Sequence, residues 1–346
     1  MYCYSHPETM RNFPRLFVAV VSLLSLGQGY EYTCEPGTDP TVCSLWNLQY
    51  IQNETLPSVK MPSTVKKVRL NMEQYYYDRH LGITVYDSVL HLTILHNPTS
   101  VQIGYNRMNV LHMPTDLQMG EFKQNSISNV LTNSSLSYAV TYLDLQGNTI
   151  ADISNFSALV NLQTLNLENN NIREINGRIF AGMHNLSMLY LGYNGFQQLD
   201  FKDFPKALTN LWLFNNHLNT LDLVNVTLPS LAVLDLESNN LKTIDLVAVF
   251  AAFPGLQFLP IAQNEFPVSE AKRIIAELAR HNVTHYFGEP EGFCDSSEFE
   301  VSKICFPGSV LIGRSVWKAL VLLVLGVIVV AMFVGSVRWI WFQMRY

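Results

Sequence analysis

The chain has 346 residues, 48% of them apolar and only 14% charged, against roughly a quarter charged in ordinary soluble domains. So low a charge content points to hydrophobic segments outside a soluble core, and with 18 Gly and 15 Pro a collagen-like or disordered chain is excluded. The formal charge of −6, from 22 basic and 28 acidic side chains, speaks against a nucleic-acid binder, which needs a basic face to neutralise phosphate.

The first predicted element is a secretory signal over residues 1–29. An apolar run of eleven, residues 16–26 (LFVAVVSLLSL), follows Arg11 and Arg15 and precedes Gly27 and Gly29. It is too short to cross about 30 Å of hydrocarbon, and the small residues suit cleavage before Tyr30. Residues 30–64 then read as an N-terminal cap carrying Cys34 and Cys43.

Residues 65–264 repeat. The pattern LxxLxLxxN ends on Asn at 125, 148, 170, 194, 216, 239 and 264, a mean step of about 23, within the leucine-rich-repeat range. An earlier copy ends at Asn106, and VKKVRL from Val65 begins another strand. Between residues 71 and 97 the register is lost. Leucines at period two turn one face of a short strand inward, and each repeat can bury them only against its neighbours. The ninth-position asparagines then serve as a structural ladder, bonding backbone groups of the turn and of adjacent repeats. Phe180, Phe204 and Phe250 follow their asparagines by ten or eleven residues and are expected to stack on the convex side.

A solenoid must cover its apolar ends. Residues 265–310 form the C-terminal cap. Ser269 precedes EAKRIIAELARHN, whose Ala271, Ile274, Ile275 and Leu278 make one apolar helical stripe, with Ser269 in the N-cap place. Cys294 and Cys305 lie beyond it. Cys3 leaves with the signal, so four cysteines remain in an oxidising compartment and read as two disulfides. The intervening repeats separate the two groups and favour the local pairs.

After a juxtamembrane stretch, 311–318, the uncharged residues 319–337 lie between Trp317 and Trp339, which fits a single transmembrane helix with aromatic belts. Residues 338–346 are the cytoplasmic tail. A removable lipid-anchor signal is the alternative, against which the ending RWIWFQMRY argues. The signal sets a type I topology at the plasma membrane, with an extracellular segment 30–318 of formal charge −9. All six N-x-S/T acceptors, Asn53, Asn133, Asn155, Asn185, Asn225 and Asn282, fall inside it, as a glycoprotein of that topology requires.

The sum is an α/β leucine-rich-repeat solenoid, a horseshoe with disulfide-bearing end caps and one C-terminal transmembrane helix. Signal, cysteine-bearing start (YTCEPGTDPTVCSLWNLQYI), repeats, cap and span together resemble the extracellular leucine-rich-repeat proteins of animals, most closely the transmembrane type of mosquito leucine-rich immune proteins. The resemblance implies protein recognition in innate immunity, with a complement-like protein or another leucine-rich-repeat protein as partner. The chain departs from the soluble members in lacking their heptad region and Cys-rich hinge. A cell-adhesion or developmental receptor is the second reading.

No G-x-S-x-G, H-E-x-x-H, P-loop or dinucleotide fingerprint is present, so no enzyme activity, cofactor or metal is expected. His91 and His96 are read as ordinary surface or half-buried histidines. The informative positions are those alternating with the buried leucines on the concave sheet: Tyr142, Asp144 and Gln146; Thr164, Asn166 and Glu168; Met188, Tyr190 and Tyr193; Asn210, Trp212 and Phe214; Val233, Asp235 and Glu237. Tyr190, Tyr193, Trp212 and Phe214 form an aromatic cluster of the kind that anchors interfaces. Glu121, Asp144, Glu168, Asp235 and Glu237 outnumber Lys123 around it, which predicts a basic partner face.

Overall fold

The structure is a computed structural model that describes residues 30–72, 82–175, 178–286, 294, 298–301 and 304–307. The signal segment, the apolar run 319–337 and the tail lie outside the described residues. Among the described residues no helix is long and apolar enough to cross a membrane.

One sheet of ten strands runs the length of the solenoid. A short antiparallel strand, Glu35–Pro36, opens it beside Val42–Trp46. Parallel strands follow at Lys67–Asn71, Ser100–Ile103, Met119–Glu121, Tyr142–Asp144, Thr164–Asn166, Met188–Tyr190, Asn210–Trp212 and Val233–Asp235. The cause is the leucine register. Leu143, Leu165, Leu189, Leu211 and Leu234 are direct cross-strand partners, all fully buried, so each added repeat extends one apolar column.

The asparagine ladder closes every turn. Asn148 donates from Nδ2 to the carbonyls of Phe122 and Leu145, both at 2.8 Å, while its Oδ1 accepts from the Ile127 amide at 3.0 Å. Asn170, Asn194, Asn216, Asn239 and Asn264 repeat this three-point bond. Each amide thus satisfies backbone groups that the turn would leave buried and unpaired. The residue before each ladder Asn, from Tyr105 to Gln263, has a positive φ. Gly147 takes that place without steric cost, whereas a bulky side chain there is strained.

The back of the solenoid changes along its length. In the first repeats it is a three-stranded parallel sheet, Val85–Tyr86, Val110–His112 and Asn129–Leu131. Later repeats use 3₁₀ turns, Ser154–Ala158 and Phe201–Asp203, and then a helix, Leu246–Ala252, capped by the Asp245 carboxylate on the Val247 and Ala248 amides. Phe180 stacks on Phe204 with centroids 5.7 Å apart. Phe250 does not join them. It lies on the half-buried side of its helix and stacks on His281 at 4.0 Å, while Phe253 reaches Phe201 at 5.8 Å and continues the buried row. Helical periodicity, rather than the distance from the ladder Asn, decides which ring points inward.

Across the stretch with no readable register, Leu70 pairs directly with Ile103, so its described residues add no strand to the long sheet. The stretch carries a π-helical turn, Val89–Ile94, started by the Asp87 carboxylate accepting from the Leu90 amide at 3.0 Å. His91 is fully buried there, contrary to the expectation of a surface or half-buried histidine. Its Nδ1 lies 2.7 Å from the Tyr86 hydroxyl and its Nε2 lies 3.1 Å from Asp116 Oδ1.

Both caps carry their cysteines as local disulfides, Cys34–Cys43 and Cys294–Cys305. The closing helix, Val268–Arg280, starts two residues earlier than expected, with Pro267 rather than Ser269 in the N-cap place. Proline supplies the extended backbone that precedes a helix, and no side chain caps this end. Ala271, Ile274, Ile275 and Leu278 are its buried stripe. Phe266 and Phe306 then pack edge-on at 5.9 Å and join the last repeat to the hairpin Glu298–Val301 and Ile304–Pro307.

Candidate functional site

Alternation along each strand sends one side chain to the leucine core and the next to the open face of the long sheet. In-register parallel pairing then lines those outward side chains in rows across the strands. One row reads Glu121, Asp144, Asn166, Tyr190, Trp212, Asp235. The row beside it reads Lys123, Gln146, Glu168, Gly192, Phe214, Glu237, held by backbone bonds such as Gln124 N to Gln146 O at 2.8 Å and Asn215 N to Glu237 O at 2.9 Å.

The four aromatic residues singled out from the sequence do come together. Tyr190 and Trp212 are cross-strand partners whose rings stack at 3.9 Å and 3°, and Tyr193 meets Phe214 edge-on at 5.2 Å. Gly192 is what lets Phe214 lie down, because a Cβ there would stand 2.6 Å from its ring. Tyr190, Trp212 and Phe214 are half-buried rather than free, since each covers part of its neighbour. Tyr193 stands 54% exposed at a φ of +51°, a costly position for a bulky side chain.

The acids divide into two groups. On the N-terminal side they are already paired: Lys67 Nζ holds Glu121 at 3.0 Å, and Lys123 Nζ holds Asp144 at 2.8 Å, with the Tyr142 hydroxyl donating to the same carboxylate at 3.2 Å. Tyr142 and Asp144 therefore belong to an internal network. Asp144 is 1% and Asp235 3% exposed, which corrects the expectation that both stand open on the face. The cause is local. Asp144, Asn166 and Asp235 each accept the backbone amide two residues on, at 3.0 to 3.1 Å, which holds the short side chain close to its strand; Asn166 stays half-buried, whereas Lys123 and Tyr142 close over Asp144 and Asp235 lies beside Trp212. An Asx at the fifth position of three copies was the available signal.

Among the described residues, Glu168, Asp235 and Glu237 form no such ion pair. Glu168 is raised by burial and by Asp144, with Lys123 opposing, and accepts from Gln146 Nε2 at 3.2 Å. Glu237 is raised by burial. Asp235 is pushed up to about 7, by burial first and then by the fields of Glu237 and Glu168, against the opposing Glu237 amide. Burial and the acids Glu168 and Asp144 also push the Tyr190 hydroxyl up. The aromatic cluster is thus bordered by carboxylates whose charged form is disfavoured, and a nearby positive charge would relieve that cost.

The six predicted glycosylation acceptors are all exposed, and none lies in a strand of the ten-stranded sheet. Cys294, Glu298 and Cys305 group closely enough to suggest a metal, but both thiols are consumed by the disulfide.

The leucine rich repeat family model matches residues 138–196, the stretch with the most regular copies. Lumican from Gallus gallus is 30% identical over 136 residues, 36% of this chain, and lumican from Bos taurus 29% over 134. The chain spans 38% and 37% of the length of these relatives. Among solved structures, the leucine-rich repeat domain of APL1B superimposes with a TM-score of 0.51 at 20% identity, over 73% of this chain and 77% of that one. The chain folds as a leucine-rich-repeat solenoid, and the likeness to APL1B is one of fold.

Proposed function

We propose that this chain is a membrane-anchored receptor that binds another protein on the open face of its long sheet, in innate immune recognition. The observation that carries the reading is the aromatic floor of Tyr190, Tyr193, Trp212 and Phe214, ordered by mutual stacking and placed where no glycosylation acceptor falls. Pre-ordered aromatics lose little entropy on docking and dominate interface energies. The three carboxylates beside them favour a basic partner face, through encounter rate more than through residence time.

An extracellular location is supported by the signal-like start, by two disulfides and by the similarity to lumican. The anchor is assigned to residues 319–337 from their composition. The immune context rests on the resemblance to mosquito leucine-rich immune proteins, the group of APL1B. The decisive experiment measures the affinity of the cross-linked partner for Trp212→Ala and Tyr190→Ala. Each is expected to weaken binding by more than about 1 kcal/mol with secretion intact. Binding indifferent to both, on properly secreted protein, would move the interface off this face.

A further inference from the structure

Asp144 and Asp235 occupy the same place in the repeat, five residues into the motif. Both are all but fully buried, and both spend Oδ1 on the backbone amide two residues on. Their second oxygens differ. Asp144 Oδ2 is held by Lys123 Nζ at 2.8 Å and by the Tyr142 hydroxyl at 3.2 Å. Asp235 Oδ2 has no donor among the described residues. The residue that stands to Asp235 as Lys123 stands to Asp144, at the seventh position of the preceding repeat, is Phe214. The cation has been exchanged for an aromatic side chain.

Three further features define what would fit. The Tyr190 and Trp212 rings stack face to face, so the free face of Trp212 is the one turned away from Tyr190, toward its other cross-strand partner Asp235. Glu237 lies two residues beyond Asp235 and Glu168 across Gly192, so the floor has a carboxylate on either side, about 14 Å apart at the usual strand spacing. Gly192 leaves room for the Phe214 ring to lie over it, beside the stacked pair. A flat, positively charged group can thus lie on the rings and reach a carboxylate at its edge. Guanidinium meets both demands at once, stacking on aromatic faces while its N–H fork pairs with an acid, whereas an ammonium is compact and strongly hydrated.

We propose that an arginine side chain of the partner lies on the Trp212 and Phe214 rings and pairs with Asp235, taking from outside the place that Lys123 fills for Asp144 from within. This rests on the reading of the sheet face as the binding surface and adds the chemistry of its anchor.

The test uses the full-length protein in detergent and labelled Gly-Arg-Gly-Arg-Gly peptide in a polarisation assay, with the lysine and citrulline peptides as competitors. The arginine peptide should bind, the lysine peptide several-fold less well, and the neutral but isosteric citrulline peptide about tenfold less well or worse. Asp235→Asn should lower arginine-peptide binding about tenfold. Phe214→Lys, which restores an internal cation, should abolish it, while Glu277→Gln on the closing helix should leave it unchanged. Thermal melts of each variant establish that the fold is retained. Citrulline or lysine peptide binding as well as arginine, or binding unchanged in Asp235→Asn and Phe214→Lys, would overturn the proposal. Partner binding that depends on Trp212 and Tyr190 without competition from the arginine peptide would defeat the arginine anchor alone. Indifference of the partner to Trp212 and Tyr190 would defeat the underlying binding surface instead.

Discussion

The repeats before residue 138 and those from 138 to 264 stack one unit in two ways. The earlier ones are irregular in length, backed by a second sheet, and tied by polar contacts that reach across them: Lys67 with Glu121, Tyr50 with Asp87 at 2.8 Å, Tyr86 with His91 and His91 with Asp116. The later ones are regular, backed by turns and a helix, and stabilised by a fully buried leucine column and a buried asparagine ladder. Where the apolar column is unbroken, outward positions are released from structural duty and can carry costly aromatics and unpaired acids. Where it is broken, the same positions are occupied in holding the repeats together.

The largest effect is expected in the regular half. Leu189→Asp places a carboxylate with no partner in the centre of the column and should destabilise by several kcal/mol. Loss of secretion and of protease resistance is the readout, and normal secretion would show that the column does not carry the fold.

The two halves should also respond oppositely to pH. Asp235 has a folded-state value of about 7 against an ordinary 3.8, so between those pH values the folded protein holds a proton that the unfolded chain has released. Stability from this group is present at low pH and lost as pH rises to 7. Asp235→Asn should therefore stabilise the protein by roughly 2–4 kcal/mol at pH 7.5 and change little near pH 4, as followed by thermal melts across pH. An equal effect at both pH values would mean that the carboxylate is ionised throughout.

His91 carries the reverse sign. Burial lowers its proton affinity below the ordinary 6.5, with Asp116 opposing, so the folded state resists a proton that the unfolded chain accepts. Stability is present above pH 6.5 and lost as pH falls below it. His91→Leu should cost about 1–3 kcal/mol at pH 7.5, because the buried Tyr86 hydroxyl loses its partner, and should remove part of the acid-side loss. Melts that keep the full acid limb in this variant would place the titrating group elsewhere.

The smallest effect sharpens the comparison. Lys67 and Glu121 are partly exposed, and Lys67→Ala should cost less than about 1 kcal/mol by chemical denaturation. A larger loss would mean that the cross-strand ion pair is a main tie of the irregular half.

The sequence by itself determined the repeat unit, its register from residue 97 onward, the structural role of the asparagines, the local cysteine pairing and which aromatics gather on one face. It could do so because a solenoid is nearly one-dimensional: each residue's neighbours sit one period away, and period-two alternation assigns its side of the strand. Three things were decided only in three dimensions. Asp144 and Asp235 are buried while Asn166, with the same backbone bond, is not, because side chains of neighbouring strands cover the two aspartates, which alternation within one strand does not register. Phe250 yields its expected place to Phe253 because a helix replaces the back turn there. His91 enters the core on the π-helical turn Val89–Ile94, and that stretch has no period from which its partners Tyr86 and Asp116 could be read.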